Sequence, residues 1–318
     1  MAKKHLIVLA GPTASGKTAT AIKLANAFDT DIISADSRQF YKELSIGTAA
    51  PTEEELSQVN HFFVHHLSIF DKYDVADYEQ DVLFFLKHYF KTNNSIIMTG
   101  GSGLFIDAVC NGLDAIPDVT DEIRMKVQKM YDEGGIEVLQ SEVERVDPEY
   151  FKIVDKQNPR RLQRALEVFY QTGKPYSTFR QKNVAERDFD IIKVALLWDR
   201  EALIERINKR VDMMMEQGLL DEVKSVYSYR HLNTLNTVGY KELFDYLDGK
   251  CTLEQAVEQI KISTRQYAKR QMTWLRKNSD YQWFTIEQTE EMITYIKKQM
   301  ETNVISSVAK RSREITGI

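Results

Sequence analysis

The apolar run Leu6–Ala10 stops at Gly11-Pro12 and opens the octet Gly11-Pro12-Thr13-Ala14-Ser15-Gly16-Lys17-Thr18, after which ATAIKLANAF is helix-compatible. The octet fits G-x-x-x-x-G-K-[ST], and a short apolar run before it suits a strand buried on both faces better than an amphipathic helix. A chain that begins this way is committed to a strand–loop–helix unit of a parallel sheet. The physics of the loop is direct: backbone N–H groups at a helix N-terminus favour phosphate oxygens, Lys17 adds a cation, and the Thr18 hydroxyl can ligate magnesium. The loop reads phosphates and leaves open whether they belong to a nucleoside triphosphate or to another diphosphate.

Three further strands are expected from Asp31–Asp36, Ser95–Thr99 and the apolar IIKVALLWD stretch, 191–199. Ligands of open α/β sheets lie beyond the carboxyl ends of the strands, so Asp36 should emerge beside the loop, where it could hold magnesium, act as a base or cap a turn. Asp36-Ser37-Arg38-Gln39 packs a proton acceptor, a hydroxyl, a cation and an amide into four residues, a set suited to a polar substrate. Ser95–Thr99 ends in Gly100-Gly101-Ser102-Gly103, where an ATPase would carry an acidic magnesium ligand. His61, His65 and His66 lack an acidic or cysteine partner at zinc-like spacing and read as an edge strand or loop.

From 116 to 189 the strand–helix alternation stops, which predicts a helical insertion between a core of 1–115 and 190–318 with its C-terminal helices. In the insertion, Asn158-Pro159 and Gly173 bound a helix with Leu162, Ala165, Leu166 and Phe169 on one face and Arg160, Arg161 and Arg164 on the other. A single helix is expected over 203–223, with Arg206 and Arg210 four apart and able to face one anion. The segment Ile260–Lys277 holds six basic residues and no acidic one, although the chain carries a net charge of −5. A helical projection places Lys261, Arg265, Lys269 and Arg276 outward and Tyr267 and Trp274 inward, as a phosphate-backbone contact surface would have them. The two cysteines, Cys110 and Cys251, form no ligand set, and no apolar run reaches the ~20 residues of a bilayer span. A cytoplasmic protein with no membrane contact is expected.

GPTASGKT, ISADSRQFYKELSIGTAAP, HHL, TGGSGLF, NPRRLQRALEVF, RVDMMMEQGLLDEV, TVGYKE and TRQYAKRQMTWLRK follow in that order. Together they resemble the bacterial tRNA dimethylallyltransferases from Leu6 to about Trp283. The resemblance implies a P-loop NTPase-like parallel sheet flanked by helices, with an inserted helical domain. It also implies transfer of the dimethylallyl group of dimethylallyl diphosphate to the exocyclic amine of the adenosine 3′ of the anticodon. The loop Gly11–Thr18 would then hold the diphosphate leaving group with Mg²⁺ on Thr18, and Thr13, Lys17 and Arg210 would stabilise it. Asp36 would be the base. By position, Asp36, Ser37, Arg38 and Gln39 match a segment contacting tRNA. So do Ser102, where many members have threonine, Arg124, Arg160 to Arg164 including Leu162 and Gln163, and Asn236-Thr237-Val238-Gly239-Tyr240-Lys241-Glu242. The zinc finger of eukaryotic relatives has no cysteine set here, and tRNA binding requires no more than a monomer. Three rivals predict other chemistry: a P-loop kinase using Mg-ATP, a prenyltransferase acting on free AMP, and a non-catalytic RNA-binding protein.

Overall fold

The computed structural model describes residues 3–180 and 184–316. Chain order runs β1 (His5–Ala10), α1 (Lys17–Phe28), β2 (Ile32–Ser34), α2 (Glu53–Gln58), β3 (His61–Phe62), α3 (Val75–Tyr89), β4 (Ser95–Gly100) and α4 (Gly103–Asn111). Next come α5 (Asp121–Val146), α6 (Pro148–Ile153) and α7 (Pro159–Thr172). The chain closes with β5 (Asp190–Leu196), α8 (Arg200–Glu216), α9 (Leu219–Val226), α10 (Tyr240–Leu247), α11 (Leu253–Lys277), β6 (Gln282–Phe284) and α12 (Thr289–Thr316). The six strands lie in the order β3-β2-β4-β1-β5-β6, and every pairing is parallel.

β1 sits inside the sheet because both its faces are apolar. Leu6, Val8 and Ala10 join one core with Ile33, Tyr78 and Ile106, while Ile7 and Leu9 join the opposite core with Leu24, Ile97 and Met292. Alternate side chains of a strand point to opposite faces, so an unbroken apolar run is what a doubly covered strand needs. The histidine stretch supplies the edge strand β3, and β6, three residues long, is too short to leave a periodic signal.

The chain divides into two compact units, with the breaks at Cys110/Asn111 and Glu186/Arg187. In the insertion, α5 and α7 pack around Val127, Leu139, Val143, Leu162, Ala165 and Leu166. Helix α7 has the predicted ends: Asn158 accepts from Arg161 N at 3.3 Å, Pro159 takes the first position, and Gly173 stops the helix at φ +69°. Leu162, Ala165 and Leu166 are buried and Phe169 is half-buried, so the expected apolar face is the packed one.

The helix expected over 203–223 is two. Gln217 ends α8, and Gly218, at φ +97°, turns the chain into α9. Left-handed backbone there is open to glycine at little cost, and the turn lets Val211, Met214, Leu219 and Val223 share a third core with Leu44, Tyr240, Leu243 and Ile260.

Candidate active site

One cleft of about 800 Å³ opens at the carboxyl ends of the strands, a size suited to a small-molecule ligand. Its floor is Thr13–Ala19, one lip is Asp36–Gln39 with Gly47–Ala49, and its helical wall brings Arg206, Arg210, Tyr267, Arg270 and Gln271. Asn236, Thr237, Val238, Gly239 and Lys241 complete the rim.

The loop is shaped by where its carbonyls go. Pro12 O accepts from Lys17 Nζ at 2.7 Å, Ala14 O from Arg206 Nε at 2.9 Å, and Ser15 O from Trp198 Nε1 at 3.0 Å. With those oxygens engaged, the amides of Gly16, Lys17 and Thr18, which open α1 and have no helical acceptor by position, remain for an anion. Ala14 is held at φ +62° and Gly16 at φ +83°, the left-handed turn that curls the backbone around a phosphate. A non-glycine residue held in that region costs roughly 1 kcal/mol, strain of the kind found at ligand clamps. Gly11 and Pro12 lie buried beneath the loop and support it.

The electrostatics are those of an anion site. Burial pushes the Lys17 ammonium down to about 8, with the nearby Asp36 carboxylate opposing the shift and Arg210 adding to it. Burial likewise lowers Arg210, and Asp36 again opposes; a guanidinium stays charged through such a shift. Two cations thus share a desolvated pocket with one carboxylate. Burial raises Tyr267, and the Asp36 charge raises it further, so its hydroxyl stays protonated and donates to Gly101 O at 3.3 Å.

Asp36 leaves the end of β2 as expected, its Oδ1 accepting from Arg38 N at 3.1 Å. Ser37 N donates to Ser102 Oγ at 3.1 Å, and the two hydroxyl oxygens lie 3.1 Å apart. Arg38 donates to Thr234 O at 2.8 Å. Gln39 turns away from recognition: its amide donates to Ala49 O at 3.0 Å and accepts from Ser34 Oγ at 3.1 Å, pinning the lip.

Several residues singled out for nucleic-acid contact lie beneath the surface. Leu162 and Gln163 are buried in the insertion, Gln163 donating to Gln128 at 3.1 Å, because consecutive residues of a helix cannot all face outward. Tyr240 is fully buried with its hydroxyl on Glu222 Oε1 at 2.5 Å, and Glu242 caps α10 through Gly239 N at 2.8 Å. Arg160 and Arg161 are exposed, Arg164 is half-exposed 3.8 Å from Glu167, and Arg124 is exposed with Asp121 at 3.2 Å.

The basic face of α11 also needs correction. Lys261 pairs with Asp212 at 2.7 Å and Arg265 donates to Asn208 at 2.7 Å, because that half of the helix packs on α8. Lys269, Arg270, Arg276 and Lys277 remain exposed. The histidines serve the fold: His61 Nδ1 is 2.8 Å from Val59 O, His66 meets Phe40 and Phe63 edge to face, and burial lowers His61, His65 and His66.

Glu222 and Gln271 were not legible as site builders. Glu222 accepts from Ser45, Ile46 and Gly47 N at 2.9, 2.7 and 2.9 Å, and thereby shapes the lip. Gln271 lies buried on the inward face of α11. A lone amide on the inward face of α11, between Tyr267 and Trp274, was the signal available.

A parallel sheet with a G-x-x-x-x-G-K-[ST] loop after β1, a carboxylate after β2 and a helical wall rich in arginine is a P-loop-type α/β architecture. The family can be stated: the chain belongs to the IPP transferases, whose profile matches residues 39–278. It is similar to tRNA dimethylallyltransferase 1 of Bacteroides thetaiotaomicron, at 50% identity over 95% of this chain and 98% of that one. The tRNA dimethylallyltransferase of Christiangramia forsetii is 48% identical over 94% and 99%. Among solved structures, the full-length tRNA isopentenylpyrophosphate transferase of Bacillus halodurans aligns with a TM-score of 0.72 at 31% identity, covering 96% of this chain and 99% of that one. A eukaryotic dimethylallyltransferase acting on tRNA aligns at 0.74 and 28%, covering 89% and 74%. The chain is thus a transferase with the fold of that family.

Proposed function

We propose that this protein transfers the dimethylallyl group of dimethylallyl diphosphate to the exocyclic amine of the adenosine 3′ of the anticodon in tRNA, and that the phosphate loop holds the diphosphate. The carrying observation is that the loop, Lys17, Arg210 and Asp36 line one cleft, while β4 ends in Gly100 without the acidic residue an ATPase would place there.

The adenine amine is a weak nucleophile because its lone pair is delocalised into the ring. Asp36 takes a proton from that nitrogen as the new C–N bond forms at the allylic carbon. The C–O bond to the diphosphate breaks and its electron pair leaves with the diphosphate. Negative charge then grows on the leaving oxygens, and Lys17, the loop amides, Arg210 and the Thr13 hydroxyl stabilise it. The adenosine must leave its stack to reach Asp36, a modest cost in an anticodon loop.

Among the described residues no group of three or more His, Cys, Asp or Glu side chains could hold a metal ion. The donors present, the Thr18 hydroxyl and loop-bound diphosphate oxygens, suit Mg²⁺, which takes few protein ligands and completes its shell with phosphate and water. When bound, the ion would neutralise charge on the diphosphate. The exposed arginines of α7 and Arg124 are proposed to contact the tRNA backbone; a monomer suffices for this reading.

Two incubations with Mg²⁺ and unmodified tRNA, one with dimethylallyl diphosphate and one with ATP, test it by nucleoside mass spectrometry. Prenylated adenosine in the first alone is expected. Parallel incubations with AMP or a small acceptor in place of tRNA complete the test: prenylation of free AMP but not tRNA, or ATP consumption with the small acceptor, would overturn it.

A further inference from the structure

The floor of the cleft and the turn after β4 that supports its Asp36 lip are bridged by a buried side chain. Gln271 Oε1 accepts from Thr13 N at 2.8 Å, and Gln271 Nε2 donates to Gly101 O at 2.9 Å. A backbone N–H can only donate and a carbonyl can only accept, so the amide has one workable orientation. Thr13 belongs to the loop that takes the leaving group. Gly101 precedes Ser102, whose hydroxyl accepts from the amide of Ser37, the neighbour of Asp36. The fit is tight: a Cβ on Gly101 would lie 2.4 Å from Gln271 Nε2 and 3.3 Å from Asp36 Oδ2, so only glycine lets the amide approach. One turn further along α11, Trp274 Nε1 donates to Asp107 Oδ2 on α4 at 2.7 Å and holds the helix in place.

We infer that Gln271 is a positioning residue of the prenyl transfer. Its amide fixes the separation between the diphosphate loop and the Asp36 lip, and so between leaving group and base. The inference rests on the reaction proposed above. In a displacement both ends of the reacting line must be set at once, and a misplacement of about 1 Å costs roughly 100-fold in rate. Removing Gln271 would leave floor and lip each able to bind its own ligand while the two drift relative to each other.

The test uses Gln271→Ala and the near-isosteric Gln271→Glu in the full-length protein. For Gln271→Ala, kcat for tRNA prenylation falls about 100-fold, while the Kd values for inorganic pyrophosphate and for tRNA change less than about threefold, within the spread expected of interactions not lost. For Gln271→Glu, the carboxylate still accepts from Thr13 N but has no proton for Gly101 O; protonation restores that donor. The ratio of variant to wild-type turnover therefore rises as pH falls from 8 to 6; a new negative charge facing Asp36, Lys17, Arg210, Tyr267 and Arg270 would instead raise Asp36 and make the ratio fall, so the sign of the change separates the two. A merely structural role would not move the ratio. A flat or falling ratio overturns the inference, as does a Gln271→Ala protein that loses pyrophosphate affinity in step with kcat. Should Gln271→Ala not fold, the pH ratio of Gln271→Glu decides alone. A wild-type protein that does not prenylate tRNA removes both this inference and the proposed reaction, whereas an active wild type with indifferent variants removes this one only.

Discussion

The cations of the cleft and those of α7 are the same residue types put to opposite use. In the cleft three cations are tied: Lys17 to Pro12 O, Arg38 to Thr234 O, Arg206 to Ala14 O and over the Trp198 ring at 4.5 Å. On α7, Arg160 and Arg161 are exposed and Arg164 lies 3.8 Å from Glu167. A tied cation has given up its rotamer entropy before the ligand arrives, which suits a small anion that must be held in one pose. A free one keeps its counterions until a polyanion displaces them, which suits a backbone that can be met in many poses. On the proposed reaction the tied cations serve chemistry and the free ones capture, and each half of that reading can be broken separately.

The largest effect is expected from Asp36→Ala. General-base loss costs about 10² to 10⁴ in rate, so kcat should fall by that amount, with the tRNA Kd, measured by filter binding, almost unchanged. Equal losses in kcat and tRNA affinity would move Asp36 from chemistry to capture and blur the contrast.

The second effect is the mirror image. Changing Arg160, Arg161 and Arg164 together to Ala should leave kcat at saturating tRNA near wild type, weaken tRNA binding, and reduce the slope of log K against log salt by about 2 to 3. The exposed side of α7 can absorb the change, because Leu162, Ala165 and Leu166 carry its packing. An unchanged slope would make these arginines an ordinary solvated face.

How much of this contrast could be read in advance follows from range. The phosphate loop was legible because eight consecutive residues carry it, and Asp36 because a strand end fixes its place. The apolar face of α7 was legible from period alone. Tyr240 and Glu242 enter the contact set because the resemblance carries Asn236–Glu242 over as a block; only the fold reveals that Tyr240 reaches Glu222 beneath the rim. Lys261 and Arg265 were misread because a helical projection gives a face and not its neighbour, and the neighbour is α8 with Asp212 and Asn208. Gln271 is 258 residues from Thr13, and no local pattern joins positions so far apart.

The smallest effect belongs to Lys17 and is a matter of pH. Its ammonium, held at about 8 by burial, is protonated at pH 7 both free and when an anion binds beside it. Affinity for inorganic pyrophosphate is therefore full below pH 8; above it, binding must first take up a proton, and affinity should fall about tenfold between pH 7 and 9. Titrating Lys17→Met in parallel cancels the protonation of the ligand itself. The sign of the stability effect is opposite. A folded-state value below the ordinary 10.5 means the folded protein bears a desolvation cost that grows as pH falls from 10.5 to 8 and is fully present below 8. Ligand-free Lys17→Met should consequently melt higher than wild type at pH 7, with the gap narrowing as pH rises past 8. A mutation that destroys function and yet stabilises the empty fold would mark Lys17 as a cation kept for its ligand. If the two proteins melt together at pH 7, the Asp36 carboxylate already offsets the cost, and the cleft is less poised for an anion than its tied cations suggest.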